Sequence, residues 1–188
     1  MLRVAAIVAA FFVCLAPAWA APPKWNVDPS KSSLTFEVVV NGQKVVGRFK
    51  AFGALIAFDP ADLANSSAKI TIDMTEAKSG DATRDAMLLK PDWSNVLDFP
   101  QAVFQTTSFV AKGGNAYEAK AKLTLKGTVR DVTLPFTLAI NGNTAVVKGA
   151  TVLKRLEFGV GQSKDFAGDA PVALSVKVMV SVTATRAK

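Results

Sequence analysis

The chain has 188 residues, half of them hydrophobic, with 22 Lys and Arg against 15 Asp and Glu. It carries no histidine and one cysteine, Cys14. Those counts exclude a Ser-His-Asp triad, a Cys-His pair, an HExxH zinc site, His-ligated haem and an internal disulfide. The length fits one domain at about 150 residues each.

Residues 1–20 form a segment of their own. Arg3 precedes an apolar stretch from Val4 to Trp19, and Ala18-Trp19-Ala20 supplies a small-x-small end. The pattern is that of a secretory signal peptide cleaved after Ala20, which is a better fit than a retained anchor. The mature domain is then 21–188. It loses Arg3 alone among charged residues, so the net charge falls from +7 to +6, and it has neither Cys nor His. Without disulfides it must hold together by packing, and a Gram-negative source implies a periplasmic destination.

Period-two alternation dominates the rest. Leu34, Phe36, Val38 and Val40 alternate with Ser33, Thr35 and Glu37, and Asn41-Gly42 signals a hairpin because both positions accept positive φ. From Lys44 to Phe58 the apolar parity switches near Ala51 and Gly53, which implies a bend or bulge. Ala68, Ile70, Ile72 and Met74 form the third strand. Glu76 to Pro100 lacks alternation; there Thr83–Lys90 reads as two helical turns capped by Thr83 and closed by Pro91. Strands resume at Gln101–Ala111, around Tyr117–Leu125, around Val132–Ile140, at Ala145–Lys154 and around Val172–Thr183. Strict alternation places Phe104 and Phe109 on opposite faces of one strand.

Eight strands with short turns make an all-β, antiparallel architecture, with one short helical excursion between strands 3 and 4. A closed barrel and a sandwich both satisfy the pattern. An outer-membrane barrel would crowd Glu37, Lys69, Asp73, Lys120, Lys122, Lys148 and Lys177 into a narrow lumen. The apolar parity therefore belongs inside.

Ordered motifs then point to a family. They include Trp25-x-x-Asp28-Pro29, Ser33-Leu34-x-Phe36, Gly47-Arg48-Phe49 and Phe58-Asp59-Pro60. Arg84-Asp85-x-x-Leu88, Asp92-Trp93, Phe99-Pro100-x-x-x-Phe104, Leu123-x-Leu125-x-Gly127 and Phe158-Gly159-Val160-Gly161 follow. From Trp25 to about Thr185 the chain resembles the YceI-like family. The resemblance implies an eight-stranded, lipocalin-like barrel whose apolar pore binds a polyisoprenoid, typically in the periplasm. Family members often carry histidine near the positions of Lys31, Val40 and Met87, and an aromatic pair at Trp93-Ser94. The chain thus resembles a His-poor branch, some members of which are fused to or associated with cytochrome b561-type membrane proteins.

Such a ligand is bound by apolar area removed from water. The candidate pore lining is Phe36, Val38, Phe49, Phe58, Ile72, Phe104, Leu123, Phe136, Leu138, Val176 and Val178. The same side chains would equally fill a closed core. The excursion Glu76–Pro100 is the candidate mouth. Arg84, Asp85 and Trp93 there either meet a headgroup or cover the pore, or else Arg84 and Asp85 pin the loop while Trp93 plugs the barrel end.

Gly159-Val160-Gly161 lacks the third glycine of a dinucleotide loop, and the dispersed positive charge has no basic run suited to nucleic acid. Neither a catalytic constellation nor a metal or cofactor site emerges. The reading is a periplasmic carrier for a polyprenyl chain or isoprenoid quinone, not an enzyme. The alternative is a non-catalytic scaffold for a membrane redox protein, and a homodimer is a further expectation.

Overall fold

The alternating segments close into a ring in the computed structural model, which describes residues 21–188; the expected signal peptide lies outside the described residues. The first two staves of the barrel are each broken once. β1 (Lys24–Val27) and β2 (Ser33–Val40) are interrupted at Pro29–Lys31, a 3-10 turn whose cap Asp28 accepts the Ser30 N–H. β3 (Gln43–Phe49) and β4 (Phe52–Ala57) are interrupted at residues 50 and 51, where the parity switches. β5 (Ser67–Asp73), the short β6 (Ala77–Lys78) and helix α1 (Ala82–Leu88) come next. The long strands β7 (Gln101–Gly113), β8 (Ala116–Leu125), β9 (Thr128–Asn141), β10 (Thr144–Lys154) and β11 (Ser175–Arg186) complete the chain.

Neighbours pair antiparallel in chain order, as short connections require. The ring shuts where β11 pairs with β1, Trp25 opposite Arg186, and with β2, Phe36 opposite Val178. The result is a closed eight-stave barrel, and the sandwich alternative is excluded. β6 adds only a two-residue flap beside β3.

Turns gather the segments at two ends. The β2–β3 and β8–β9 turns, the excursion 74–100 and the β10–β11 loop share one end, here called the lid end. The β7–β8 and β9–β10 turns and the β4–β5 loop share the other. Asn41 and Gly42 both take positive φ in the β2–β3 turn. Lys69, Lys120, Lys122, Lys148 and Lys177 are exposed, whereas Ala119, Ala121, Leu123, Phe136 and Leu138 are buried. The apolar parity therefore faces inward, the reverse of an outer-membrane barrel.

Two expectations are corrected. The helix begins at Ala82, and its cap is Asp81, not Thr83: the Asp81 carboxylate accepts the Arg84 N–H at 2.9 Å. And β7 does not alternate strictly, because the pairing with β8 slips between Thr106 and Ser108. Thr107 is the extra residue of a β-bulge, which resets the parity beyond it. Phe104 and Phe109 consequently both turn inward.

Candidate functional site

The barrel interior is not filled. A cavity of about 240 Å³ runs inside it, walled from Trp25, Phe58 and Phe136 toward one end to Phe49, Leu125 and Leu153 toward the lid. Along β11 the wall runs from Val178 to Ala184, roughly 20 Å of strand at about 3.3 Å per residue. Hydroxyl side chains enter the wall only at Ser33, Thr106 and Thr151. Thr106 is tied to both backbone groups of Ala68, accepting from its N–H at 2.8 Å. Thr151 donates to the Thr133 carbonyl at 2.9 Å, and Ser33 lies at an exposed edge. The wall therefore offers a ligand hydrocarbon and almost nothing else. Apolar cavities of roughly 150 Å³ already stay dry and accept small hydrocarbons.

Phe49, Phe58, Ile72, Phe104, Leu123, Phe136, Leu138 and Val178 stand on this wall. Phe36, Val38 and Val176 do not. They share the inward parity but do not line the cavity: Phe36 packs against the Phe49 ring at 5.3 Å and over Gly47, and Val38 and Val176 lie further toward the lid. Parity selects the inner face of a strand but not the height along it. Trp25 and Phe109 join the wall. Phe58 holds an edge-on cluster there, with Phe109 at 4.9 Å and Tyr117 at 5.9 Å, while Trp25 Nε1 donates to the Phe58 carbonyl.

The lid is fastened by a residue the alternation gave no reason to choose. Arg155 is 4% exposed, and no carboxylate among the described residues bonds its guanidinium. Instead its guanidinium donates to six backbone carbonyls, those of Ala173, Val160, Gly161, Phe166, Gly168 and Val172. A fork of five N–H groups is the side chain suited to this task. Burial pulls the pKa below the usual arginine value, and Asp169 pushes it back. Only a run of loop carbonyls converging in space marks this role, and sequence does not display that.

Trp93 is buried in the lid, not on the cavity wall. It lies edge-on to Phe166 at 5.1 Å and 5.8 Å from the Arg155 guanidinium. The Asp92 carbonyl accepts the Gly161 N–H at 2.7 Å, joining excursion to loop. A Cβ at Gly161 would come within 2.7 Å of Arg155 Nη1 and 3.2 Å of the Trp93 ring, so the approach requires glycine. Lys126, in the β8–β9 turn, donates to the Gly159 carbonyl at 2.6 Å; desolvation lowers its pKa, and Asp92 offsets part of that.

Asp85 and Arg84 converge on Ser79. The Asp85 carboxylate accepts from Ser79 N–H at 2.6 Å and Ser79 Oγ at 2.7 Å, while Arg84 Nε reaches Ser79 Oγ at 3.4 Å. These hydrogen bonds lower the Asp85 pKa against a small desolvation cost, with Lys78 and Arg84 charges assisting. The geometry is that of a loop anchor, and neither residue touches the cavity wall. Lys31, Val40 and Met87 are also off the wall: Lys31 pairs with Asp28 at 3.5 Å and Val40 bridges Val172.

The YceI-like domain matches residues 25–184, nearly all of the described chain. The chain belongs to the YceI-like domain family. Among solved structures this YceI-like domain is similar to BcnA of Burkholderia cenocepacia, with TM-score 0.81 and 34% identity over 85% of this chain and 100% of BcnA. It shares its fold with a polyisoprenoid binding domain from Saccharophagus degradans implicated in plant cell wall breakdown, at TM-score 0.66 and 13% identity over 88% of this chain and 99% of that one. YceI of Escherichia coli O157:H7 is 35% identical over 97 residues, 52% of this chain and 50% of that protein. A UPF0312 protein of Vibrio cholerae is 29% identical over 136 residues, 69% of this chain and 72% of the relative. A YceI-like barrel with this wall fits lipid binding.

Proposed function

We propose that this protein is an exported carrier that holds one isoprenoid lipid, a polyprenyl chain or an isoprenoid quinone, inside the barrel. The observation that carries the reading is the wall: a long apolar cavity whose few hydroxyls are tied to backbone or lie at its edge. Affinity then comes from apolar area removed from water, at about 25 cal/mol per Å². Any polar headgroup stays outside the apolar section, since the wall's hydroxyls are bonded to backbone inside it and only Ser33, at the edge, is exposed. The Saccharophagus domain, which shares the fold, is a polyisoprenoid binding domain.

Binding without turnover is the reading the family favours. Export to the periplasm rests on the pattern of residues 1–20, and a membrane redox protein as recipient rests on the family resemblance alone. Expression with the native leader, followed by mass spectrometry of the protein and of its organic extract, tests the proposal. The expected result is processing after Ala20 and about one isoprenoid per barrel. An empty barrel, or straight-chain lipid in proportion to its abundance in the cell, overturns it.

A further inference from the structure

We propose that the lipid enters and leaves sideways, through a slit in the barrel wall between the first two staves, an inference that rests on the lipid-binding reading above. These staves are laddered at both ends and not between. β1 pairs with β4 at Lys24–Ala57 and Trp25–Ile56, and β2 pairs with β3 from Leu34–Phe49 to Val40–Gln43. Among the described residues, no ladder pair joins 26–33 to 50–55.

Each lip is braced away from the other. The first is held to β11: the Asp28 N–H donates to the Thr183 carbonyl at 2.9 Å, and Ser32 Oγ accepts the Thr183 N–H at 3.1 Å. The second is held on its far side. There the Lys50 N–H donates to the Glu76 carbonyl at 3.2 Å, the Ala51 carbonyl accepts the Asp73 N–H at 3.0 Å, and Phe52 to Leu55 are laddered to β5. Widening the slit therefore breaks no ladder hydrogen bond, unlike parting two strands that are paired along their length.

The cavity reaches this slit. Val27 and Ser33 on one lip, and Phe52 and Ala54 on the other, stand on its wall. Ser33 is exposed, and the other three are partly exposed although they line the interior. On the outer side of the second lip, a Cβ at Gly53 would meet nothing within 4 Å, and Leu55 is 75% exposed. Residues 50–55 span roughly 20 Å at about 3.3 Å per residue, similar to the cavity wall along β11. A hydrocarbon chain can thus pass broadside between the lips.

The other routes are closed more firmly. The lid is fastened by Arg155, and Arg84, Asp85 and Trp93 do not reach the wall. β9 and β10 also part beyond Phe136–Gly149, but Thr151 Oγ1 donates to the Thr133 carbonyl across that gap. Ile140, the other exposed residue on the wall, sits at the far end, where Leu138, Ala145 and Ala184 are buried in one cluster.

The test uses the full, delipidated chain carrying Cys14→Ser, so that an added cysteine is the only thiol. Ser33→Cys is capped with a maleimide bearing a short polyethylene glycol chain. Uptake of geranylgeraniol is followed by stopped flow at the emission of Trp25, which stands on the wall, and release by mixing loaded protein with excess lipid vesicles. Capping is expected to slow uptake and release alike, by about tenfold or more, and to leave Kd within about twofold, because an obstructed route raises the barrier in both directions. The same cap on Leu97→Cys in the excursion, on Ile140→Cys at the far end or on Val152→Cys beside the β9–β10 gap leaves both rates unchanged. An uptake rate unmoved by the cap at Ser33→Cys, or slowed as much by a cap at any of the other three, overturns the slit. If capped Ser33→Cys does not fold, capped Leu55→Cys on the opposite lip decides in the same way. Failure of wild type to bind geranylgeraniol overturns the lipid reading, and the slit with it.

Discussion

Phe104 and Phe109 lie five residues apart on β7 and face the same cavity, brought to one side by the bulge at Thr107. The Thr107 hydroxyl donates to the Lys120 carbonyl at 3.1 Å, which holds the extra residue against β8. Phe109 is thereby delivered onto Phe58, edge to face at 4.9 Å.

Deleting Thr107 removes the extra residue and leaves Phe109 four residues from Phe104, on the inner face by strict alternation and opposite the same β8 partner. Phe109 keeps its contact with Phe58, so the deletion is expected to cost clearly less stability than Phe109→Ala, which loses about 3–5 kcal/mol as a packed aromatic ring is removed. Chemical denaturation of the two variants side by side measures the difference. A deletion as destabilising as Phe109→Ala contradicts the role given to the bulge.

Arg155→Ala removes the side-chain donor shared by six loop carbonyls and is expected to cost about 3–5 kcal/mol. Arg155→Lys recovers little, because three donors on a point charge cannot replace the fork. Trp93 reports the event, since it packs against both Arg155 and Phe166: its emission shifts to the red as the lid opens. Thermal melts followed at Trp93 emission and in the far-ultraviolet circular dichroism should separate lid opening from barrel unfolding.

The barrel was legible in residues 24–186 because antiparallel strands with one buried face write period two into the chain, and Asn41-Gly42 and the parity switch near Ala51 mark real breaks. Phe109 was misplaced because a bulge changes parity without a sequence signal of its own. Phe36, Val38 and Val176 were placed on the correct face but at the wrong height, a coordinate fixed by strand stagger around the ring. The helix start was missed by one choice of cap, Thr83 over Asp81. Arg155 was invisible for a different reason: its partners are backbone carbonyls of residues 160–173, which exist as a site only once the loop has folded.

Gly161→Ala is expected to destabilise the lid by about 1–3 kcal/mol, through a left-handed φ of 67° and a collision with Arg155 and Trp93. The loss should vanish largely when Trp93→Phe is added only if ring contact dominates the cost; a double-mutant cycle on thermal stability gives the split.

Asp85 sets an acid limit for the excursion. Hydrogen bonds from Ser79 hold its folded pKa below the ordinary 3.8. A carboxyl with a depressed folded pKa contributes its full stability above the unfolded value and loses it as pH falls through the folded one. The contribution is thus present above pH 3.8 and disappears below it. Asp85→Asn is expected to lower stability at neutral pH and to flatten the pH dependence below 3.8. Hydrogen exchange of the Ser79 amide across that window checks the assignment; protection unchanged by Asp85→Asn counts against it.

Uptake of an isoprenoid chain by the barrel interior is tested most directly by titrating delipidated Trp93→Phe protein with geranylgeraniol, read from Trp25 on the cavity wall and repeated in Val180→Phe, which places a ring in the middle of that wall. The expected result is a saturable change at one lipid per barrel that Val180→Phe abolishes while leaving the melting temperature within a few degrees. No saturable change, or one that Val180→Phe leaves intact, contradicts it.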